Sequence, residues 1–464
     1  MNHTRDVLLA APLFVIIISG TASAHEVGGR FTAPIPLELL FGGAAVTVAI
    51  TALLLAFTVN EPPTDPTGLS VGRVSPSVAT GARVASRGLF FIAFVLVIVI
   101  GFLGKQVQAE NFATIFLWPV WLKGVAIVSA LIGSPWAVLS PWKTLYDGLV
   151  HLEGEPIAVL GEYPSWLDVW PALGGFLIWI GILENLTVAP RSPRLTALLI
   201  TSYTVVMLVG GLAFGPQWFR RADALAVLYR LFGRVAPITL ESTTSGGCRM
   251  DLRWPWLGCL YSVSSIAVAA FVIATVYTVS FDGFTSTPEF QILLFGVREA
   301  LGVGRSVSVL LYLLGFSGFV AVFISVSRLT QRLAGAQQVE WAVAVFAFAP
   351  TVLPIAAAYE IAHNYPFVLG NAGQLVAVLW SFMGLGHGPS VDLLAWLSLS
   401  AYWWSQVLLI VVGHIVAVIA AHYVAMARYP TVTAARRGHV PLTLLMIGYT
   451  VLSLWIVSRP IVTG

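Results

Sequence analysis

Six acidic or imidazole side chains stand within or at the ends of otherwise apolar stretches of this 464-residue chain: Glu184, Asp282, Glu360, His363, His414 and His422. Ionisable groups are costly in hydrocarbon, so those that persist there usually face a cavity or a partner and mark function. Carboxylates and imidazoles together suit two chemistries, ligation of a metal that activates water and passage of protons or ions. In Tyr359-Glu360-Ile361-Ala362-His363, helical geometry sets Glu360 and His363 about 60° apart and Tyr359 and His363 about 40° apart, so all three share a face. With Asp282, Tyr359 and Glu360 are the candidate proton-handling groups, and His363 is a candidate metal ligand. A Glu-x-x-His pair also occurs in helical di-iron sites, but those need two such pairs and further carboxylates. Only one is present. His414 and His422 are separated by about 80° and about 12 Å of helix rise. Metal–nitrogen bonds of about 2.0–2.1 Å then allow at most one of them to join His363 on a single ion. The other is left for a second site, a proton path or a structural hydrogen bond. Each histidine can equally do no more than bond a backbone carbonyl, and Asp282 before Gly283 suits a turn at a span end.

The elements that must hold these residues are membrane helices. Hydrophobic residues make up 58% of the chain, charged ones 10%, and the mean hydropathy is +0.88, against about 45–50% apolar in ordinary globular proteins. Uncharged runs of about 20 residues recur, the length that crosses a bilayer. They do not alternate as barrel strands would. The expected fold is therefore an all-α integral membrane protein, a polytopic bundle with the lipid bilayer as its partner. The net charge of +3 lies in loops rather than in a polybasic tract, which excludes nucleic-acid binding as its meaning.

Residues 1–24 combine a basic start (His3, Arg5), an apolar stretch from Val7 to Gly20 and the small-residue end Thr21-Ala22-Ser23-Ala24. This pattern predicts a cleavable export signal followed by one membrane domain over 25–464. Cleavage would expose His25, whose α-amine and ring nitrogen could chelate copper or zinc. With that end outside the cell membrane, ten spans are expected at about 35–58, 88–104, 113–134, 171–188, 195–214, 257–281, 305–328, 339–364, 400–427 and 440–457. Stretch 367–385 carries Gly370, Asn371, Gly373 and Gln374, so it reads as re-entrant or surface, with an eleventh span as the alternative. The arrangement puts 15 Lys and Arg on the inner side and seven outside, leaving Lys123 within a span and Arg5 in the signal, in accord with the positive-inside tendency. By the same topology Glu184, Asp282, Glu360 and His363 all lie toward the outer ends of their spans, where one polar site could collect them.

Two inner loops are long enough for structure. Residues 135–168 contain most of a twice-used Ser-Pro-Trp, at Ser134-Pro135-Trp136 and Ser140-Pro141-Trp142, whose tryptophans suit headgroup anchoring. Residues 218–235 place apolar side chains at helical spacing with arginines opposite, predicting a helix on the inner membrane surface. No internal repeat supports an inverted-repeat transporter.

Several motifs resemble the membrane-bound fenitrothion hydrolase-like family of multi-span proteins. They are Ala24-His25-Glu26-Val27-Gly28-Gly29-Arg30 followed by Pro34-Ile35-Pro36, Ser140-Pro141-Trp142-Lys143, Gly161-Glu162-Tyr163-Pro164, Ser280-Phe281-Asp282-Gly283-Phe284, Ala358-Tyr359 with His363, and Val412-Gly413-His414 with Ala421-His422. The likeness covers most of the chain, and Glu360 departs from the family's apolar residue. The resemblance implies hydrolysis of organophosphate-type esters at the aryl ester bond. It would use a divalent metal, zinc or copper, to activate a water, with His363 and His414 as preferred ligands and His25 or His422 as a third. Asp282 would orient or deprotonate that water, and a small apolar substrate would arrive from the lipid. The competing expectations are a transporter or metal-handling permease using the same histidines, and a b-type cytochrome with haem between histidines of two helices.

Overall fold

The computed structural model describes residues 36–61, 68–244, 246–302, 304, 307–336 and 338–459. The expected signal, its cleavage site and His25 lie outside the described residues. Among those described, ten helices are long and apolar enough to cross a membrane. They are α1 (Leu37–Thr58), α2 (Pro76–Leu103), α3 (Phe112–Ile132), α4 (Ser165–Glu184), α5 (Pro193–Phe214), α6 (Ile266–Thr285), α7 (Val307–Leu333), α8 (Trp341–Phe382), α9 (Leu399–Arg428) and α10 (Val432–Val457). Each corresponds to one expected span. Helix α2 starts well before its apolar run, because Arg87 on the polar extension pairs with Asp147 at 2.8 Å. Helix α6 starts later than hydropathy suggests, because the Ser265 hydroxyl accepts the amide of Val268 and caps it there. Stretch 367–385 is not a separate span. It continues α8 through Ala372, breaks at Gly373 and resumes over Leu375–Phe382.

The bundle also carries strands that hydropathy conceals. β1 (Leu69–Val74), β2 (Ile238–Ser242) and β3 (Cys248–Leu252) form an antiparallel sheet in the order β1-β3-β2. Leu69 and Ile238 both oppose Leu252, and Val74 and Ser242 both oppose Cys248. Alternating side chains, as in Ile238-Thr239-Leu240-Glu241, fit the two-residue period of a strand. Arg249 on the central strand pairs with Glu241 at 2.7 Å and Asp251 at 2.8 Å.

Because β1 follows α1 while β2 and β3 follow α5, the sheet fixes both loops at one end of the bundle, termed the sheet end. Arg436 joins them by donating to Asn60 Oδ1 at 3.0 Å. At the far end, Gln106 Oε1 accepts the amide of Arg194 at 3.1 Å, and Arg459 pairs with Glu289 at 3.3 Å. Alternate loops thus meet as ten successive crossings require.

The region read as one surface helix over 218–235 is two short helices, Pro216–Arg221 and Ala224–Phe232, broken at Asp223. The second turns Leu225, Leu228, Tyr229, Leu231 and Phe232 into the core. Asp223 is itself buried and accepts hydrogen bonds from Trp136 Nε1 and Trp142 Nε1 at 2.8 Å, from Tyr203 Oη at 2.9 Å and from the Leu225 amide at 3.0 Å. The Ser-Pro-Trp tryptophans are accordingly core residues, 2% and 0% exposed, and not the headgroup anchors expected. Their indole N–H groups need an acceptor once buried, and Asp223 supplies it.

Candidate functional site

Lys123 lies near the middle of α3, in a widened π-helical stretch from Phe116 to Gly124. Pro119 interrupts the usual ladder because it has no N–H to donate. Buried Tyr229 donates toward the carbonyls of Trp121 and Leu122, at 3.4 and 3.2 Å, on the same stretch. A second π-helical stretch, Leu177–Glu184, ends at the first acidic partner, with Asn185 Nδ2 donating back to Ile180 O at 2.9 Å. Such widened turns recur at functional sites, where they re-aim side chains.

Three carboxylates from three helices surround Lys123 Nζ: Glu184 Oε1 at 3.1 Å, Asp282 Oδ2 at 3.8 Å and Glu360 Oε1 at 4.0 Å. Only the first is within hydrogen-bond range, and the other two act through charge. Helix direction explains the convergence. Side chains lean toward the N-terminus of their helix, so Lys123 on α3 leans toward the far end. The acids on α4, α6 and α8, which run oppositely, lean back toward the sheet end. The lysine, Glu184 and Glu360 side chains are each no more than 10% exposed, whereas Asp282 and His363 reach 25% and 31%. His363 Nε2 stands 4.0 Å from Asp282 Oδ2 and forms the more open side of the cluster.

Tyr359 adds a phenol to this group, its ring 5.9 Å from that of His363. Its buried hydroxyl has no hydrogen-bond partner among the described residues, and neither has Glu184 Oε2. Gly283 makes room for the tyrosine, since a Cβ there would lie 2.5 Å from the hydroxyl oxygen. Lys123 can offset only one of three ionised carboxylates. An uncompensated carboxylate in this interior is expensive.

The expected residues therefore divide. Asp282, Tyr359, Glu360 and His363 are brought together, with Glu184. His414 is not in the ring around Lys123. Its Nδ1 faces Ile410 O at 2.8 Å, its buried Nε2 has no partner among the described residues, and its ring lies 5.9 Å from Tyr449. Tyr449 in turn bonds Ser280 and donates to Val276 O at 3.0 Å. Gln406 donates to Ala362 O at 3.4 Å, and Gly413, next to His414 on the unbroken α9, packs against Ala358, the neighbour of Tyr359. His422 is further along that helix, with Nε2 3.1 Å from Val59 O and its ring 5.3 Å from that of His439. Among the described residues no group of three or more His, Cys, Asp or Glu is arranged to hold a metal ion. His25, a further candidate ligand, lies outside the described residues.

Lys123 is the site residue that motif reading passes over. Its signal was compositional: it is the one lysine within an apolar span rather than in a loop. Comparison of the whole chain with protein-family models, with curated proteins and with solved structures finds no match.

Proposed function

We propose that the protein is a membrane carrier whose Lys123 cluster binds and releases protons. The observation that carries this reading is one buried ammonium within 4.0 Å of three carboxylates on three different helices. Each carboxylate can hold a proton or compete for the lysine, so occupancy by protons changes which helices the lysine draws together. The partly exposed Asp282 and His363 form the route by which protons reach Glu184 and Glu360. Alternation between lysine-bound and proton-bound acids is a two-state element that can be coupled to passage of a solute.

Hydrolysis of an organophosphate-type ester, the activity suggested by the family resemblance, would need a metal-bound water beside His363. The ammonium of Lys123 among three carboxylates is the observation that favours the carrier. Turnover by purified protein in detergent, dependent on added zinc or copper, would favour the enzyme instead.

The test uses the full chain in liposomes. Infrared difference spectra across pH should show protonated-carboxyl bands that Glu184→Gln, Asp282→Asn or Glu360→Gln removes. An internal pH dye should report potential-driven proton uptake lost in Lys123→Met. Spectra unchanged by all three acid variants would sink the proposal.

A further inference from the structure

An open cavity walled by arginines lies at the sheet end, away from the Lys123 cluster. Its volume is about 420 Å³, and its walls include Ser134 after α3, Arg230 and Arg234 around the Ala224–Phe232 helix, and Arg253, Gly258 and Tyr261 before α6. The guanidinium groups are held by backbone carbonyls. Arg234 donates to Gly258 O at 3.1 Å and to Tyr261 O at 2.5 Å, and Arg253 to Ala236, Gly233 and Arg234 carbonyls at 3.0 Å each. Arg230 donates to Arg220 O at 2.9 Å. Among the described residues none of these three arginines has a carboxylate within 4.0 Å, the range at which ion pairs are recognised elsewhere in the bundle. The nearest buried acid, Asp223, is already committed to four donors.

Partial desolvation of its guanidinium, and then the charge of the neighbouring Arg220, lower the pKa of Arg230, although the residue as a whole stays exposed. The same positive crowding would be relieved by an anion. Guanidinium forks match phosphate oxygens in shape as well as charge. Gly258 packs so closely on Arg234 that a side chain there would meet the Arg234 carbonyl. Tyr261 in the cavity wall, 58% exposed, and Trp254, the sequence neighbour of Arg253, 54% exposed, are the kind of residue that populates the headgroup level of a bilayer.

We infer that this cavity binds a phosphate group, carried by an anionic lipid headgroup or by a soluble phosphate. Preformed guanidinium positions, held by carbonyls and lacking acidic partners, are its recognition elements.

Native mass spectrometry of the full chain in detergent, offered equal phosphatidylglycerol and phosphatidylcholine, tests the lipid source. Thermal unfolding with inorganic phosphate tests the soluble one. Several-fold preferential retention of phosphatidylglycerol, reduced by Arg230→Gln, is the expected result for a headgroup. A rise in unfolding temperature with inorganic phosphate, lost in the same variant, identifies a soluble ligand. Arg230 is exposed and holds a single carbonyl, so this substitution spares the packing. If the variant nonetheless fails to fold, wild-type retention should still weaken as salt is raised. Equal retention of both lipids with no response to inorganic phosphate overturns the inference, as does selective binding indifferent to both Arg230→Gln and salt.

Discussion

Two buried acidic centres sit in the same bundle and are built on opposite principles. Asp223 meets four neutral donors and has both oxygens occupied. Glu184, in the Lys123 cluster, shares one ammonium with two other acids and keeps an oxygen unpaired. The first arrangement fixes one geometry, because every donor would lose its partner if the carboxylate moved. The second admits several, because three acids compete for one cation. Saturation marks a structural hub, and shortage of partners marks a place where charge can move.

The sharpest way to break this contrast is Asp223→Ala. It strips acceptors from Trp136, Trp142 and Tyr203 and removes the cap of the Ala224–Phe232 helix. At about 1–3 kcal/mol for each buried donor left unsatisfied, it should destabilise the bundle more than any substitution in the Lys123 cluster, read as thermal unfolding in detergent. Asp223→Asn keeps one carbonyl acceptor and should recover much of that loss. Equal damage from both would mean that charge, not acceptance, is what Asp223 supplies.

Lys123→Met should come next. Removing one partner of a buried pair costs about 3–5 kcal/mol, and here the remaining acids must protonate. Glu184→Gln in the same chain should restore part of the stability, because it removes an acid left without its cation. Simple additivity in this double-mutant cycle would argue against shared occupancy. Glu184→Gln alone should cost less than Lys123→Met, because Asp282 and Glu360 still neutralise the lysine, while abolishing proton uptake in liposomes. Retained uptake would place the exchanging proton elsewhere.

The smallest effect concerns reactivity. Cys259, beside Arg234 and Arg253, is fully buried, and burial pushes its thiol up to about 12 despite the two arginines. Since the thiolate is the reactive form, alkylation of native Cys259 should stay slow as pH rises past the ordinary thiol value of about 8.5. It should become fast only on unfolding. Cys248, half-buried on the central strand, reports the side of the membrane instead. The expected orientation predicts that it is shielded from an impermeant thiol reagent added to intact cells.

The ten crossings were legible because hydrocarbon thickness imposes a run length that composition alone reveals. Four of the five acidic, imidazole and phenolic groups around Lys123 were already linked by depth: Asp282, Glu184, Glu360 and His363. Tyr359 followed from its shared face. The lysine's part was hidden, since its partners come from helices distant in sequence and the widened turns that aim it leave no simple period. His414 and His422 lie on one unbroken helix, but where each points depends on α10 and the end of α1. The sheet escaped because five- and six-residue strands between strongly apolar spans are overwhelmed by their surroundings. The buried tryptophans escaped because their acceptor, Asp223, lies in a different loop.

That sheet also constrains how the protein can be made. β1 leaves the ribosome directly after α1, whereas its partner β3 follows only when α2 to α5 have been synthesised. During that interval β1 presents an unsatisfied strand edge, the kind of surface that pairs promiscuously. Biogenesis therefore has a waiting step, in which early and late loops on one face must be kept available to each other until translation delivers residue Leu252.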